Sequence, residues 1–206
     1  MIKKKNGLSD YIRKITYKVY TFFVRKRFKN LETYISPLVE IKNPDCISIF
    51  RGTSIRPYTW LYAMKSHGST QKFNPSIEIG ENCSIGRFCH ITCSNNVKIE
   101  NDVFITERVL ITDSIHGYND IENPILTQPL VSKGPIVIGS GTWIGNGSAI
   151  VGKVTIGKNC VVAANSVVSN MKVSDYSMVM GSPAKVIKRY DTSSKKWEKI
   201  DKGVKY

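Results

Sequence analysis

The sequence predicts an all-β fold, a parallel β-helix of stacked triangular coils, on two observations. Isoleucine or valine returns every six residues: Ile79, Ile85, Ile91, then after a two-residue step Ile99, Ile105, Ile111, and later Ile138, Ile144, Ile150, Ile156, Val162, Val168. That beat also stops once for a long interval, residues 117–137, beside His116. A period of six matches neither the alternation of a long strand nor the 3.6-residue turn of a helix. A short strand and a bend, repeated, does match it. Three such sides close a triangle of 18 residues, and successive coils pair as parallel strands about 4.8 Å apart. No coil buries its interior alone, so several must stack.

The first 40 residues form a basic helical segment. Leu8, Tyr11, Ile12, Ile15, Val19, Phe22 and Phe23 fall on one helix face, with Arg13, Lys14, Lys18, Arg25, Lys26 and Lys29 covering most of the rest. Such a helix either caps the open end of the first coil or lies on an anionic membrane surface through residues 8–29. Residues 41–190 form the β-helix, with about five coils at 47–64, 79–98, 99–116, 138–155 and 156–173. The earliest, through Ile49, Ile55 and Leu61, is the weakest match. Position two is often Gly, where bends demand unusual backbone angles. Position five is small or β-branched, and Cys83, Cys89 and Cys160 occupy it as ordinary core residues rather than metal ligands. A basic tail, 191–206, follows a short helix.

Net charge is +14, which suggests nucleic acid until it is located. Residues 1–30 hold ten Lys/Arg and one acid, residues 185–206 hold eight and three, and in between twelve bases balance twelve acids. A phosphate-tracking groove needs cations spread over one surface of the fold, so nucleic-acid binding is excluded. An odd cysteine count, no apolar secretion core and no 18-residue apolar window point to a reducing cytoplasmic setting.

The hexapeptides, the histidine beside the long loop and Gly181-Ser182-Pro183-Ala184-Lys185-Val186 together resemble the hexapeptide-repeat acyltransferases. The resemblance covers roughly residues 40–190 and is nearest to the sugar O-acetyltransferases, including galactoside, maltose and surface-polysaccharide enzymes. It implies left-handed winding, an exception to the right-handed crossover rule. It also implies a homotrimer with acetyl-CoA between subunits, a sugar or glycan acceptor, and no metal.

The loop 117–137 carries three prolines and two glycines, and a loop of that length in a compact domain is usually functional. His116 stands at its root, facing outward from a corner. The stretch Asp113-Ser114-Ile115-His116-Gly117-Tyr118 matches where the family places its catalytic histidine. Histidine suits proton removal from a hydroxyl at neutral pH. Asp113 is a candidate to orient its ring, and the backbone N–H near Asn146 a candidate oxyanion donor. The resemblance also assigns Trp143, Ala163, Ala164, Ser169, Lys185 and Lys188 to the coenzyme. Tyr118 and His90 are candidate acceptor contacts, while His67, in KSHGSTQK, is expected to have no role. Phe88 stands where the galactoside branch has an asparagine. The alternatives are acetylation of an amino sugar or an antibiotic, zinc hydration chemistry on three histidines, and a scaffold without catalysis.

Overall fold

The computed structural model describes residues 8–68 and 70–200. The repeat winds into a left-handed parallel β-helix with three faces. Each coil visits the faces in one order. In the first full coil, Ile47–Ile49 lies on the first face, Ser54–Ile55 on the second and Trp60–Ala63 on the third. The isoleucines stack in register. Ile49, Ile79, Ile99, Ile138 and Ile156 form one ladder; Ile55, Ile85, Ile105, Ile144 and Val162 form the next; Leu61, Ile91, Ile111, Ile150 and Val168 form the third. None is more than 6% exposed, and burying each such side chain contributes about 1.5–3 kcal/mol before entropy is subtracted.

The five expected coils are present, and partial coils extend both ends. Asn30–Leu31 joins the first face and Glu40–Lys42 the third, so the β-helix begins before the boundary expected at residue 40. Lys172–Val173 starts a further turn on the first face, and Ser177–Gly181 carries it past residue 173 on the second.

Positions two and four divide the labour of the bend differently from expectation. The left-handed backbone conformation falls at position four: Tyr58, Asn82, Phe88, Asp102, Arg108, Asn159, Asn165 and Tyr176 all have φ between 50° and 66°. Glycine at position two answers to close approach instead. A Cβ on Gly86 would sit 2.4 Å from the carbonyl oxygen of Thr106 in the next coil, and one on Gly145 would sit 2.5 Å from the amide nitrogen of Ala164. The coil spacing, not the bend, selects those glycines.

Position five has a role beyond filling space. Thr53, Thr59, Cys83, Cys89, Thr142, Ser148 and Cys160 each donate to a position-two carbonyl of the following coil, at 2.6–3.2 Å. A short hydroxyl or thiol therefore satisfies an acceptor that the bend removes from the strand ladder. Cys83, Cys89, Cys93 and Cys160 are buried and free, Cys46 is free and half-buried, and burial pushes the Cys93 thiol up to about 12.

Both chain ends differ from expectation. The helix α1 (Leu8–Val24) docks through Tyr20, Thr21 and Val24, outside the expected stripe. The Thr21 hydroxyl accepts a 2.9 Å hydrogen bond from the buried Ile35 N–H, and Tyr20 and Val24 pack on the core. Tyr11, Ile12, Ile15, Val19, Phe22 and Phe23 are 43–78% exposed, so the apolar face turns away from the coils; the side chain of Leu8 lies outside the described residues. The short C-terminal helix is replaced by strand. Ala184–Asp191 pairs antiparallel with Ser177–Gly181, and Lys196–Lys199 pairs with it in turn. The last strand of the second face offers an open ladder edge, and the β-branched pair Val186-Ile187 suits pairing there better than a helical turn. The tail thus joins the sheet as far as Lys199, and its remaining part, 201–206, lies outside the described residues.

Thr142 tests the position-five arrangement, because its hydroxyl donates to Gly157 and accepts from the Cys160 N–H. Thr142→Val keeps the shape and strands both groups. Denaturant unfolding should show a loss of about 1–3 kcal/mol; an unchanged midpoint would remove the hydrogen bond from the account.

Candidate active site

Three excursions leave the β-helix at the corner between the third and first faces. In the first coil it is a hairpin of Ser66–His67 and Gln71–Lys72; in the second, the two-residue step Ser94-Asn95; in the third, the long arm. The arm begins as strand Ser114–His116, which pairs antiparallel with its returning strand Leu130–Ser132.

Asp113 joins the last two. Its carboxylate is fully buried; Oδ1 accepts from the Ser94 N–H at 2.9 Å and the Ser94 hydroxyl at 3.3 Å, and Oδ2 accepts from the Asn95 N–H at 2.8 Å. The expected role for Asp113, orienting His116, is therefore corrected. Both oxygens are committed to the preceding coil, and the residue fixes the corner from which the arm departs.

His116 lies on the arm's first strand, opposite Leu130, and is half-buried rather than outward at a bare corner. Its Nδ1 is buried without a hydrogen-bond partner among the described residues. The ring meets His67 edge-on, centroids 5.3 Å apart at 77°. Beside it, Gln71 makes two hydrogen bonds to Leu130: its Nε2 donates to the carbonyl at 2.9 Å and its Oε1 accepts from the amide at 2.7 Å. The short hairpin thus braces the strand that carries His116. His67 and Gln71 were missed by motif reading. Their signal was the break between Leu61 and Ile79, a first interruption at the same corner as the arm.

Further out, buried Gln128 ties the arm together, donating to the carbonyls of Asp120 and Asn123 and accepting from the Asp120 N–H. Gly117 donates to the Pro129 carbonyl at 2.8 Å, where a Cβ would clash. The tip presents Tyr118, Ile121, Ile125 and Leu126, 57–91% exposed. No described residue covers them.

The residues assigned to the coenzyme lie elsewhere. Trp143 is half-exposed on the second face, next to Phe104 in register. Asn146, Ala163 and Ala164 occupy the corner between the second and third faces, and Lys185 and Lys188 lie on the strand that extends the second face. Ser169 ends a third-face strand, apart from that group. In a triangular coil the second face is opposite the corner that bears His116. One chain therefore does not bring His116 to Trp143 or Asn146. His90 stands on the third face, edge-on to Trp60 at 5.2 Å, and not in the His67–His116 pair. Phe88 stacks on Tyr58 at 5.4 Å. Among the described residues no group of three His, Cys, Asp or Glu is arranged to hold a metal, so the three histidines do not form the zinc set weighed above.

Comparisons with known proteins agree on the class. Residues 135–170 match the family model "Bacterial transferase hexapeptide (six repeats)". The chain is 40% identical over 83 residues to a protein of Mycobacterium tuberculosis named "Probable acetyltransferase", 40% of this chain and 26% of the relative. It is 39% identical over 64 residues to the Escherichia coli protein named "Putative lipopolysaccharide biosynthesis O-acetyl transferase WbbJ", 31% of this chain and 32% of the relative. The aligned regions thus span 26–32% of these relatives. Among solved structures, AntD, an N-acyltransferase from Bacillus cereus crystallised with dTDP and 3-hydroxybutyryl-CoA, superposes with a TM-score of 0.70 at 19% identity, covering 87% of this chain and 92% of that one. The hexapeptide-repeat containing acetyltransferase VCA0836 from Vibrio cholerae gives 0.53 at 22% identity, covering 84% and 80%. Repeat and fold define a hexapeptide-repeat β-helix, and its named relatives are acetyltransferases.

The brace on the arm has a measurable consequence. Gln71→Ala should speed hydrogen exchange of the 114–132 hairpin at least about tenfold while the isoleucine ladders stay protected. Unchanged exchange in the arm would show that the first hairpin does not hold it.

Proposed function

We propose that the chain is an acetyl-CoA-dependent O-acetyltransferase that modifies a sugar hydroxyl in surface-glycan synthesis. The observation that carries this reading is the half-buried His116, held by a braced hairpin, on a fold whose named relatives are acetyltransferases. The E. coli relative's name supports oxygen as the acceptor atom.

In this mechanism Nε2 takes the proton of the sugar hydroxyl as its oxygen attacks the thioester carbonyl. The carbonyl electrons move onto oxygen, and a backbone N–H at Asn146 donates to that oxyanion. Collapse breaks the carbon–sulfur bond, and the proton passes from His116 to the departing coenzyme A thiolate. No covalent enzyme intermediate forms. Trp143 packs beside the pantetheine arm, Ala163 and Ala164 let it approach the backbone, and Lys185 and Lys188 face its phosphates. Ser169 contacts the coenzyme further along, while Tyr118 and His90 contact the acceptor.

Because His116 and Trp143 occupy opposite sides of one chain, this mechanism needs a second copy. A homotrimer supplies it, each arm reaching the second face of a neighbour. The exposed apolar arm tip, Ile121 with Leu126, supports such a contact. The reaction belongs in the cytoplasm, where acetyl-CoA is made, at the inner face of the membrane.

The test is acetyl transfer from acetyl-CoA to sugar acceptors, followed by release of the coenzyme thiol. His116→Ala should lower the turnover number by about 100-fold to 10,000-fold, as removal of a general base does. An unchanged rate would defeat the mechanism. An acetyl group that survives mild base would identify an amide and replace the hydroxyl acceptor by an amino sugar.

A further inference from the structure

A second concave feature lies between α1 and the coils. It is a groove of about 660 Å³ at the corner of the second and third faces. Four basic side chains line it, Arg13 and Lys14 from α1 and Arg56 and Arg87 from the first two coils, with Tyr34 and Tyr58 alongside. Among the described residues no carboxylate lines it. Some exposed cations elsewhere on the coils find acids, as Arg51 does with Glu81 and Lys98 with Glu78. Lys14, Arg56 and Arg87 are in no ion pair among the described residues. Those three like charges in one concavity repel each other and keep a site open for an anion. Arginine suits a phosphate, whose oxygens accept its forked hydrogen bonds.

We propose that this groove binds the phosphate of a phosphorylated acceptor. The inference rests on the acyl-transfer reading for the ligand's role, but not for the site itself. Position in the fold supports it. Arg87 lies two coils before Asn146 on the same corner, and Arg56 three, a rise of about 10–15 Å at about 4.8 Å per coil. That is the reach of a phosphate carrying about one or two sugar rings. An acceptor held by its phosphate in the groove extends its sugar toward the proposed oxyanion position.

The phosphate can be borne by a lipid or by a soluble nucleotide. The geometry of α1 favours the lipid. One edge of this helix lines the groove, and its other face exposes Tyr11, Ile12, Ile15, Val19, Phe22 and Phe23. An apolar face beside a basic cleft is the arrangement that seats acyl chains and headgroup together.

The experiment measures binding by the full chain, so it is independent of whether acetyl transfer is found. The probes are inorganic pyrophosphate, uridine diphosphate, and vesicles of phosphatidylglycerol or of phosphatidylcholine alone. Arg56→Ala with Arg87→Ala should weaken binding of the preferred probe by more than about tenfold, since charge-assisted bonds are lost. A control that removes equal charge at Lys196 and Lys199 should change it less than about twofold. Loss confined to phosphatidylglycerol vesicles assigns a lipid-borne phosphate; loss confined to the soluble probes assigns a nucleotide-borne one. If no probe binds, or if the double variant and the control lose binding equally, the groove is not a phosphate site.

Discussion

Parallel pairing of coil on coil, at the spacing of one strand ladder, is the constraint on which the rest of the structure depends. Neighbouring coils lie so close that a side chain on Gly86 or Gly145 would collide with the backbone of the next coil. The same closeness brings position-two carbonyls within reach of the preceding coil, where threonine, serine or cysteine at position five donates to them. The isoleucine ladders supply the apolar burial, and these short polar contacts keep the bends from leaving buried acceptors unpaired. Left-handed turns at position four then need residues that tolerate positive φ, which accounts for the asparagines.

A scaffold so regular tolerates irregularity only where it can be anchored. All three excursions leave at one corner, and each is tied to another. Asp113 holds the Ser94-Asn95 step, and Gln71 holds Leu130 in the arm. His116 is thereby carried by a strand with neighbours on two sides rather than by a free loop. Its contact with His67 follows from stacking, because excursions at the same corner of successive coils point the same way. The residue that reads as an orienting acid is a corner brace, and the histidine that reads as a bystander is a ring partner.

Much of this was legible in the residues. Ile79 to Val168 set the coils, their number and the interior, and the break after Ile111 located the arm. Less legible was anything decided by contacts between coils. Position-two glycine looked like a bend residue because a sequence shows one coil at a time; the clash that selects it comes from the next. Val186-Ile187 reads as easily in a helix as in a strand until the free edge at Ser177–Gly181 is known. The stripe on α1 reads as a buried face, yet Thr21, outside it, makes the anchoring contact with Tyr20 and Val24 beside it. Asp113 was placed beside His116 by adjacency, whereas burial aimed it backwards.

Opposite placement of His116 and Trp143 gives the account its central claim, a site divided between copies of the chain. Subunit mixing tests it most directly. His116→Ala and Trp143→Ala proteins, each impaired alone, are unfolded together, reassembled and assayed for acetyl transfer. If each site takes its histidine from one copy and its tryptophan from the next, random assembly restores about a quarter of the sites to wild-type composition. Activity that stays at the average of the two parents would contradict a shared site.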